Sequence, residues 1–599
     1  MRIPRIPRKN ELDPPEDPAI DVLPASNGEY VPKPPSRRQR AIMALQDQKI
    51  EEQRHKFGLS RRDFVRTAAA MGIGVWAVDQ VTGGLWGRYS WADGTATTDA
   101  CDLENPGSQL ANLPGEFILD TQGHHLDDEG RWRVENPGFN EFLMTWTSQA
   151  MGEHPGANPP RGFGAGEVDP IANLNRFHYF KEMFLDSSTT VSLLTALPNL
   201  PDATNITPIA HAKETMDLAN SLSGSQRCFI HAFAQPNRGF MGRDRKPLYQ
   251  DEDFAWMEET ARTIGPSGWK LYCGWGDGGP SSKHSSGAMP AMNGWWFDDD
   301  NGIAITEHIR NLSQKYGLPP VICTHKGLAF NGVFDSAKFS PRDMGVIGRL
   351  YPDVTFYTYH SGYDGERQLP YPGDDKVNSS NRGVDAFIKS LRENGMDATR
   401  FVPAGLTHGN SPNMYAELGT AWWNVMHDAD QAAHMLGKLL TYVGPRRIVL
   451  GTDCIWYGAP QPQFVMLRAL QFSPRAKQLY NLPYGLDGDR WDPQCNALSG
   501  ASYTSPHPNV PDWPTDGSVH PERTIRNGIF GRNAAAAYGL DPDVVRNKIS
   551  CDDVNKLRDS YVQNPGTTME RTPHKTNKIL GPRTRREFFN YVNSPDYSP

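Results

Sequence analysis

Five polar side chains stand where apolar runs of this sequence end. Gln122 and His124 follow "FILDT", His325 follows "PVICT", His360 follows "VTFYTY" and Asp453 follows "RIVLGT". Neutral imidazoles, an anionic carboxylate and an open position for water are what a catalytic divalent metal requires. The same groups can also move protons near neutral pH. Together they predict a catalytic metal centre, provided that the fold brings them together.

Eight apolar runs carry or accompany these residues. The runs are short and rich in β-branched and aromatic residues, and helical or loop stretches separate them. Nearly continuous apolar runs are typical of strands buried on both faces, as in a parallel sheet. The pattern predicts an α/β fold, a (β/α)8 TIM-type barrel with long loop insertions, over residues 116–541. The runs are residues 117–122, 190–198, 227–235, 269–275, 320–327, 354–362, 414–419 and 447–456.

An open doubly wound sheet is the alternative architecture. It is disfavoured because no Gly-rich phosphate loop follows the first run and because eight strands suffice to close a barrel. The helix predicted before the fifth run has its own start and stop signals, since Asp299 or Asp300 can cap it and Gly317 can end it. In a barrel the carboxyl ends of the strands form the active face, and the polar residues follow those ends.

Both ends of the chain lie outside the predicted barrel. Residues 1–59 are polar and Pro-rich, and we expect them to be a disordered or only locally helical leader. Residues 60–100 are predicted to be an export-signal segment and linker, and residues 542–599 a polar C-terminal extension. The net charge of -8, with no long basic run, argues against a nucleic-acid partner.

The export prediction is based on "SRRDFVRTAAAMGIGVWAV". Arg61 and Arg62 precede Phe64 and a modest apolar run, which is typical of a twin-arginine signal. Asp79 ends the run, which is too short for a bilayer span of about 20 apolar residues. We therefore expect the twin-arginine export machinery as a partner and a periplasmic or extracellular location.

Six motifs together resemble a known superfamily. They are "ILDTQGH", "ICTHKGL", "TYHSGY", "MYAELG", "VLGTDCIWYG" and "GRNAAAAYGLD". As a set, over residues 116–541, they resemble the amidohydrolase-related superfamily of the amidohydrolase 2 type. The branch they most resemble contains the carboxymuconate-semialdehyde decarboxylase-like, metal-dependent hydrolases.

The resemblance implies a role for each strand-end residue. In that branch the first strand supplies two metal-binding histidines and the fifth strand a third. The sixth-strand histidine is catalytic, and the eighth-strand aspartate binds metal and handles protons. By position, the implied metal ligands are Gln122, His124, His325 and Asp453, and the implied catalytic residues are His360 and Asp453.

Gln122 departs from the pattern of the family. A glutamine oxygen can coordinate a metal, but it is neutral and harder than imidazole. With two histidines and one aspartate left, we expect one divalent ion of reduced affinity, zinc in first place and manganese as the alternative. The opposite interpretation is that Gln122 marks the loss of metal binding.

The candidate substrate-binding residues are one lysine and three tryptophans. Lys270 lies early in the fourth run, where a substrate-binding role is favoured over a carboxylated, metal-bridging lysine. The tryptophans Trp275, Trp296 and Trp456 follow the fourth and eighth runs and are candidates for an aromatic pocket.

Three functional hypotheses follow. The first is an exported, metal-dependent hydrolase or decarboxylase that acts on a small organic acid, lactone or amide through a metal-activated water. The second is a metal-independent, lactonase-type hydrolase on the same barrel. The third is a catalytically inactive, secreted binding barrel. A homodimer is an expectation that comes from the family alone.

Overall fold

A computed structural model describes the barrel and most of the segments that surround it. Ten strands are present among the described residues: β1 Gly87–Tyr89, β2 Leu119–Gly123, β3 Val191–Thr195, β4 Cys228–Phe233, β5 Gly268–Tyr272, β6 Val321–His325, β7 Thr355–Tyr359, β8 Met414–Glu417, β9 Ile448–Val449 and β10 Leu470–Phe472. The described residues are 19–22, 27, 30, 35–58, 61–65, 68–90, 116–135, 171, 174–198, 202–234, 251–274, 294–328, 336–369, 382–397, 413–488, 490 and 521–563.

Strands β2 to β9 form one parallel sheet in chain order. The sheet closes on itself, because Thr121 N–H donates to Leu450 O at 3.0 Å and Asp453 N–H donates to Gln122 O at 2.9 Å. The predicted (β/α)8 barrel is therefore confirmed, and each of the eight predicted runs overlaps one of its strands.

Helices cover the outside of the barrel. The helix before β6 begins after Asp299, whose side chain accepts from two backbone N–H groups, and ends at Gly317 with φ 67°, as the sequence predicted. The α-helices of the described residues are Arg37–Lys56, Arg61–Val65, Ala68–Thr82, Trp132–Glu135, Arg176–Phe180, Ile209–Ser223, Asp251–Thr263, Asp300–Tyr316, Met344–Leu350, Gly383–Glu393, Gly419–Val425, Ala429–Tyr442, Gln461–Ala469, Pro474–Leu479, Ile525–Asn527, Asn533–Ala535, Pro542–Ile549 and Asp553–Gln563.

Alternate residues of the strands build two separate cores. One set, with Ile230, Ile322 and Phe356, packs outward beneath the helices. The other set, with Val191 and Tyr357, fills the barrel interior. This alternation is the period-two geometry of strands with both faces buried.

The N-terminal segment, predicted to be disordered or only locally helical, contains one helix among its described residues. Ser36 caps a 20-residue helix, Arg37–Lys56. A few apolar residues of this helix, among them Ile42 and Ile50, share one buried face, while the many charged residues that dominate its composition lie on the other side.

The segment predicted as an export signal is also packed in the fold. Helix Ala68–Thr82 contributes Val75 and Val78 to the outer core. Arg61 Nη1 lies 2.7 Å from Asp47 Oδ1 and 2.9 Å from Glu51 Oε1. Among the described helices, none combines the length and the hydropathy needed to cross a membrane.

The described part of the predicted C-terminal extension contacts the barrel. Arg227 and Asp552 form a buried ion pair, with Nη2 2.8 Å from Oδ1, so that helix Asp553–Gln563 follows directly on a residue fixed to the barrel. The helix predicted near the C-terminus, in "RTRREFFNYV", lies outside the described residues.

A buried ion pair fixes the entry to the first barrel strand. Arg468 Nε lies 2.9 Å and Nη2 2.6 Å from the two oxygens of Glu116, and both side chains are almost fully buried. Arg468→Ala leaves the Glu116 carboxylate buried without its partner, so we expect the free energy of unfolding to fall by about 3–5 kcal/mol.

The control for this variant is Arg262→Ala, which breaks the exposed Arg262–Glu259 pair and should leave stability unchanged. Chemical denaturation measures both variants. An equal, small loss in the two would show that the Arg468–Glu116 pair does not hold the strand.

Candidate active site

The predicted strand-end residues meet at one mouth of the barrel. Gln122 lies in β2 and His124 directly follows it. His325 ends β6, His360 follows β7, and Asp453 lies four residues after β9. Each of the five side chains is at most 2% exposed.

The first cluster contains Asp453, Gln122 and His124. Gln122 Nε2 lies 3.0 Å from Asp453 Oδ1 and 3.3 Å from His124 Nε2. His124 Nδ1 is 2.8 Å from Thr195 O and must donate there, which leaves its Nε2 as an acceptor. The amide of Gln122 therefore joins the carboxylate to the imidazole by donating one N–H to each.

The second cluster is a relay of two imidazoles. His325 Nε2 is 2.6 Å from the carbonyl oxygen of Leu328 and therefore donates to it. His325 Nδ1 is then an acceptor, and it receives the Nε2–H of His360 at 3.1 Å. His360 Nδ1 accepts the backbone N–H of Thr420 at 3.3 Å. Each ring therefore carries one proton, on Nε2. The Leu328 carbonyl oxygen sets the tautomer of His325, and His325 Nδ1 in turn accepts the proton of His360.

Thr420 links the two clusters, although the sequence analysis did not single it out. Its N–H contacts His360, and its hydroxyl donates to Asp453 Oδ2. Tyr457 OH lies 2.9 Å from the same hydroxyl oxygen. The available signal was its place three residues after Glu417, at the end of a barrel strand, where a hydroxyl can face the mouth.

Glu417 holds the backbone of the mouth in place. Its two carboxyl oxygens accept the N–H groups of His360 at 2.9 Å and of Gly419 at 2.7 Å. Burial raises the pKa of Glu417 to about 8, and the charge of Asp453 adds to the rise, while Lys270 opposes it. A Cβ at Gly451 would lie 1.9 Å from Glu417 Oε1, so this position has room only for glycine.

Both predicted catalytic residues have left-handed backbone conformations. His360 has φ 62° and Asp453 has φ 57°. Such conformations cost non-glycine residues about 1–3 kcal/mol each and are retained where the surrounding structure enforces them. Here the enforcing bonds are those from His360 N–H to Glu417 and from Asp453 N–H to Gln122 O.

The predicted substrate-binding residues lie in different surroundings. Lys270 is fully buried, with its ammonium nitrogen 3.7 Å from the centre of the Tyr359 ring, a cation–π contact. Trp456 lies near the first cluster, its ring centre 6.0 Å from that of His124. Trp296 instead packs under the Arg342 guanidinium, at 3.8 Å. Trp275 lies outside the described residues.

The donors present do not form a metal site as they are arranged. His124 Nε2 and Asp453 Oδ1 are 3.1 Å apart, close to the separation of about 3.3 Å between two ligands of one tetrahedral ion. However, Gln122 directs its N–H groups to this point, and His325 Nε2 is bonded to Leu328 O. In the part of the chain that the structure describes, no three His, Cys, Asp or Glu side chains are grouped for metal binding. The divalent ion, zinc or manganese, stays a prediction.

No protein-family model and no curated protein match this chain. The solved structures that match it include a 5-carboxyvanillate decarboxylase from Sphingomonas paucimobilis, with 12% identity over 71% of this chain and 99% of that one and a TM-score of 0.37.

Two further solved structures also match this chain. An amidohydrolase 2 from Bifidobacterium longum subsp. infantis has 12% identity over 71% of this chain and all of its own, with a TM-score of 0.25. A dihydroxybenzoic acid decarboxylase from Polaromonas, solved with bound manganese and the inhibitor 2-nitroresorcinol, has 11% identity over 62% of this chain and 98% of its own, with a TM-score of 0.32.

Replacing Gln122 by histidine tests the role of the amide. Gln122→His removes the N–H groups directed at His124 and Asp453 and can supply an imidazole lone pair at the same point, so we expect higher metal affinity. Metal retained after incubation with Zn²⁺ or Mn²⁺ and dialysis, measured by elemental analysis, should rise by about tenfold or more over wild type.

The matched control is Gln48→His, at an exposed position on helix Arg37–Lys56. If both variants retain the same small amount of metal as wild type, Gln122 does not govern metal binding at the mouth.

Proposed function

We propose that this protein is an amidohydrolase-type enzyme that hydrolyses a small organic acid derivative, a lactone or an amide, without a bound metal. One observation carries the proposal. Asp453 and His360, a carboxylate and a neutral imidazole, are held at one barrel mouth and joined through Thr420. General acid–base hydrolysis requires at least a base and a hydrogen-bond donor that both face the substrate.

Asp453 supplies the base. Its carboxylate would take a proton from the attacking water and return it to the leaving group. Gln122 donates to Oδ1 of this carboxylate and Thr420 donates to Oδ2, so these two bonds fix its orientation. We assign the proton transfer to Oδ2, the oxygen on the side of Thr420, which also contacts His360.

His360 supplies the donor. Its Nε2–H donates to His325 Nδ1 at 3.1 Å and would turn from that acceptor to the carbonyl oxygen of a substrate that enters the mouth. Thr420 N–H holds the opposite nitrogen of the ring and preserves the tautomer that this role requires.

Decarboxylation of an unsaturated carboxylate is the second candidate reaction. It is favoured by the same pair, because Asp453 can deliver a proton to the carbon that loses carbon dioxide while His360 binds the departing carboxylate. The carboxylate would need a cationic or donor-rich site, and His360 and Thr420 are the donors closest to Asp453.

Export and dimer formation remain separate proposals. The sequence around Arg61 and Arg62 supports passage through the twin-arginine machinery to the periplasm or beyond. Because helix Ala68–Thr82 is packed in the outer core, that machinery would have to engage it before it packs or after it is displaced.

Asp453→Asn and His360→Gln test the catalytic proposal. Each keeps the size of the side chain and removes its proton chemistry, so turnover should fall by about 10²–10⁴-fold. A panel of small lactones, primary amides and unsaturated carboxylates is screened by proton release and by carbon dioxide formation.

The matched controls are Asp217→Asn and His55→Gln, both at exposed positions, which should keep wild-type turnover. If the two mouth variants turn over substrate as fast as their controls, this mouth does not carry out the reaction. The inactive binding barrel is then the better account.

A further inference from the structure

A residue from the far N-terminus reaches the proposed base. Asn27 Nδ2 lies 2.7 Å from Asp453 Oδ2 and 3.3 Å from Thr420 Oγ1, and the side chain is 7% exposed. The contact joins residues 426 positions apart in the sequence. It fills an acceptor position of the carboxylate oxygen to which the proposed function assigns the proton transfer.

Neighbouring residues hold Asn27 in place from both sides. Tyr30 OH lies 3.4 Å from Tyr457 OH, at the rim of the same mouth. On the other side, Ile20 and Val22 are fully buried in the outer core. We call Ile20, Val22, Asn27 and Tyr30 the mouth strap.

The anchor of the strap consists of specific bonds to helix Arg37–Lys56. The side chain of Gln46 bonds both the N–H of Ile20, at 3.1 Å, and its carbonyl oxygen, at 3.0 Å. Gln39 Nε2 donates to Val22 O at 2.7 Å. The backbone groups of Ile20 and Val22 are thus fixed by side chains of this helix, and their position does not depend on Asn27.

The number of hydrogen bonds that Asp453 Oδ2 can accept indicates what the strap does at the mouth. Asp453 Oδ2 has two lone pairs, and it accepts both the Asn27 amide and the Thr420 hydroxyl. An attacking water must bond this oxygen to lose its proton to it. While Asn27 is seated, its carboxamide occupies the place of that water or of a polar group of the substrate.

We propose that the mouth strap is autoinhibitory. It occupies the site through Asn27 and must leave before substrate reaches Asp453. The effect on turnover rests on the proposed function, whereas the shielding of Asp453 does not. Removal of the predicted export segment, which follows the strap in the chain, would remove the strap with it.

The test uses the full chain with Gln39→Ala and Gln46→Ala combined, which releases the anchor without a change at the mouth. Solvent access to Asp453 is measured by carbodiimide-driven coupling of its carboxyl to glycine methyl ester, followed by peptide mass spectrometry. We expect labelling of Asp453 to be about tenfold faster or more than in wild type.

The control is Gln48→Ala, on the exposed side of the same helix, which should label like wild type. A second release variant, Asn27→Asp, places a carboxylate against Asp453 and should also expose it. The unfolding transition of each variant confirms that the chain is folded. Equal labelling of Asp453 in both release variants and wild type would overturn the proposal.

Turnover on the substrate panel separates the two proposals. Faster labelling with faster turnover supports both, and faster labelling with no turnover keeps the strap and contradicts the proposed function. Faster labelling with turnover lower than in wild type would mean that Asn27 takes part in the reaction, which overturns autoinhibition.

Discussion

The site depends on how the barrel closes. The Asp453 N–H bonds Gln122 O across the seam between the first and the last barrel strand, and this bond sets the register of the seam. The register brings a carboxylate from one end of the barrel sequence beside an amide and an imidazole from the other. A shift of one residue at the seam would turn Asp453 or Gln122 to the opposite face of the sheet.

The second constraint is the cost of burying polar groups. Each strand-end residue is almost completely buried, so each of its polar atoms needs a partner. The partners that are present are largely neutral groups, namely the Gln122 amide nitrogen, two imidazoles and the Thr420 hydroxyl, while Gln122 Oε1 accepts no hydrogen bond from the described residues. Glutamine at position 122 is consistent with this arrangement, because its two N–H groups serve two acceptors that a cation would otherwise join.

The sequence allowed the barrel and the members of the site to be predicted, for a physical reason. Strands buried on both faces leave a continuous apolar signal, and polar residues at their ends have few roles other than at the mouth. His325, His360 and Asp453 could be found in this way. Their partners could not be assigned, because which nitrogen of a histidine donates depends on a distant acceptor such as Leu328 O.

The features that could not be predicted from the sequence depend on contacts between distant parts of the chain. Helix Arg37–Lys56 is polar overall and is stable because one narrow face packs on helix Ala68–Thr82, which no local pattern encodes. Asn27 and Thr420 are ordinary residues in the sequence. They acquire a role only through Asp453, which follows each of them by tens or hundreds of residues.

We propose that the mouth uses its own side chains, with Gln122 in the position that would otherwise suit a metal. The most direct test is turnover of the purified, full-length release variant that combines Gln39→Ala and Gln46→Ala, before and after exhaustive chelation, with metal content measured on the same samples. We predict unchanged turnover at less than about a tenth of an equivalent of metal. Loss of turnover on chelation, with recovery on addition of Mn²⁺ or Zn²⁺, would contradict the claim.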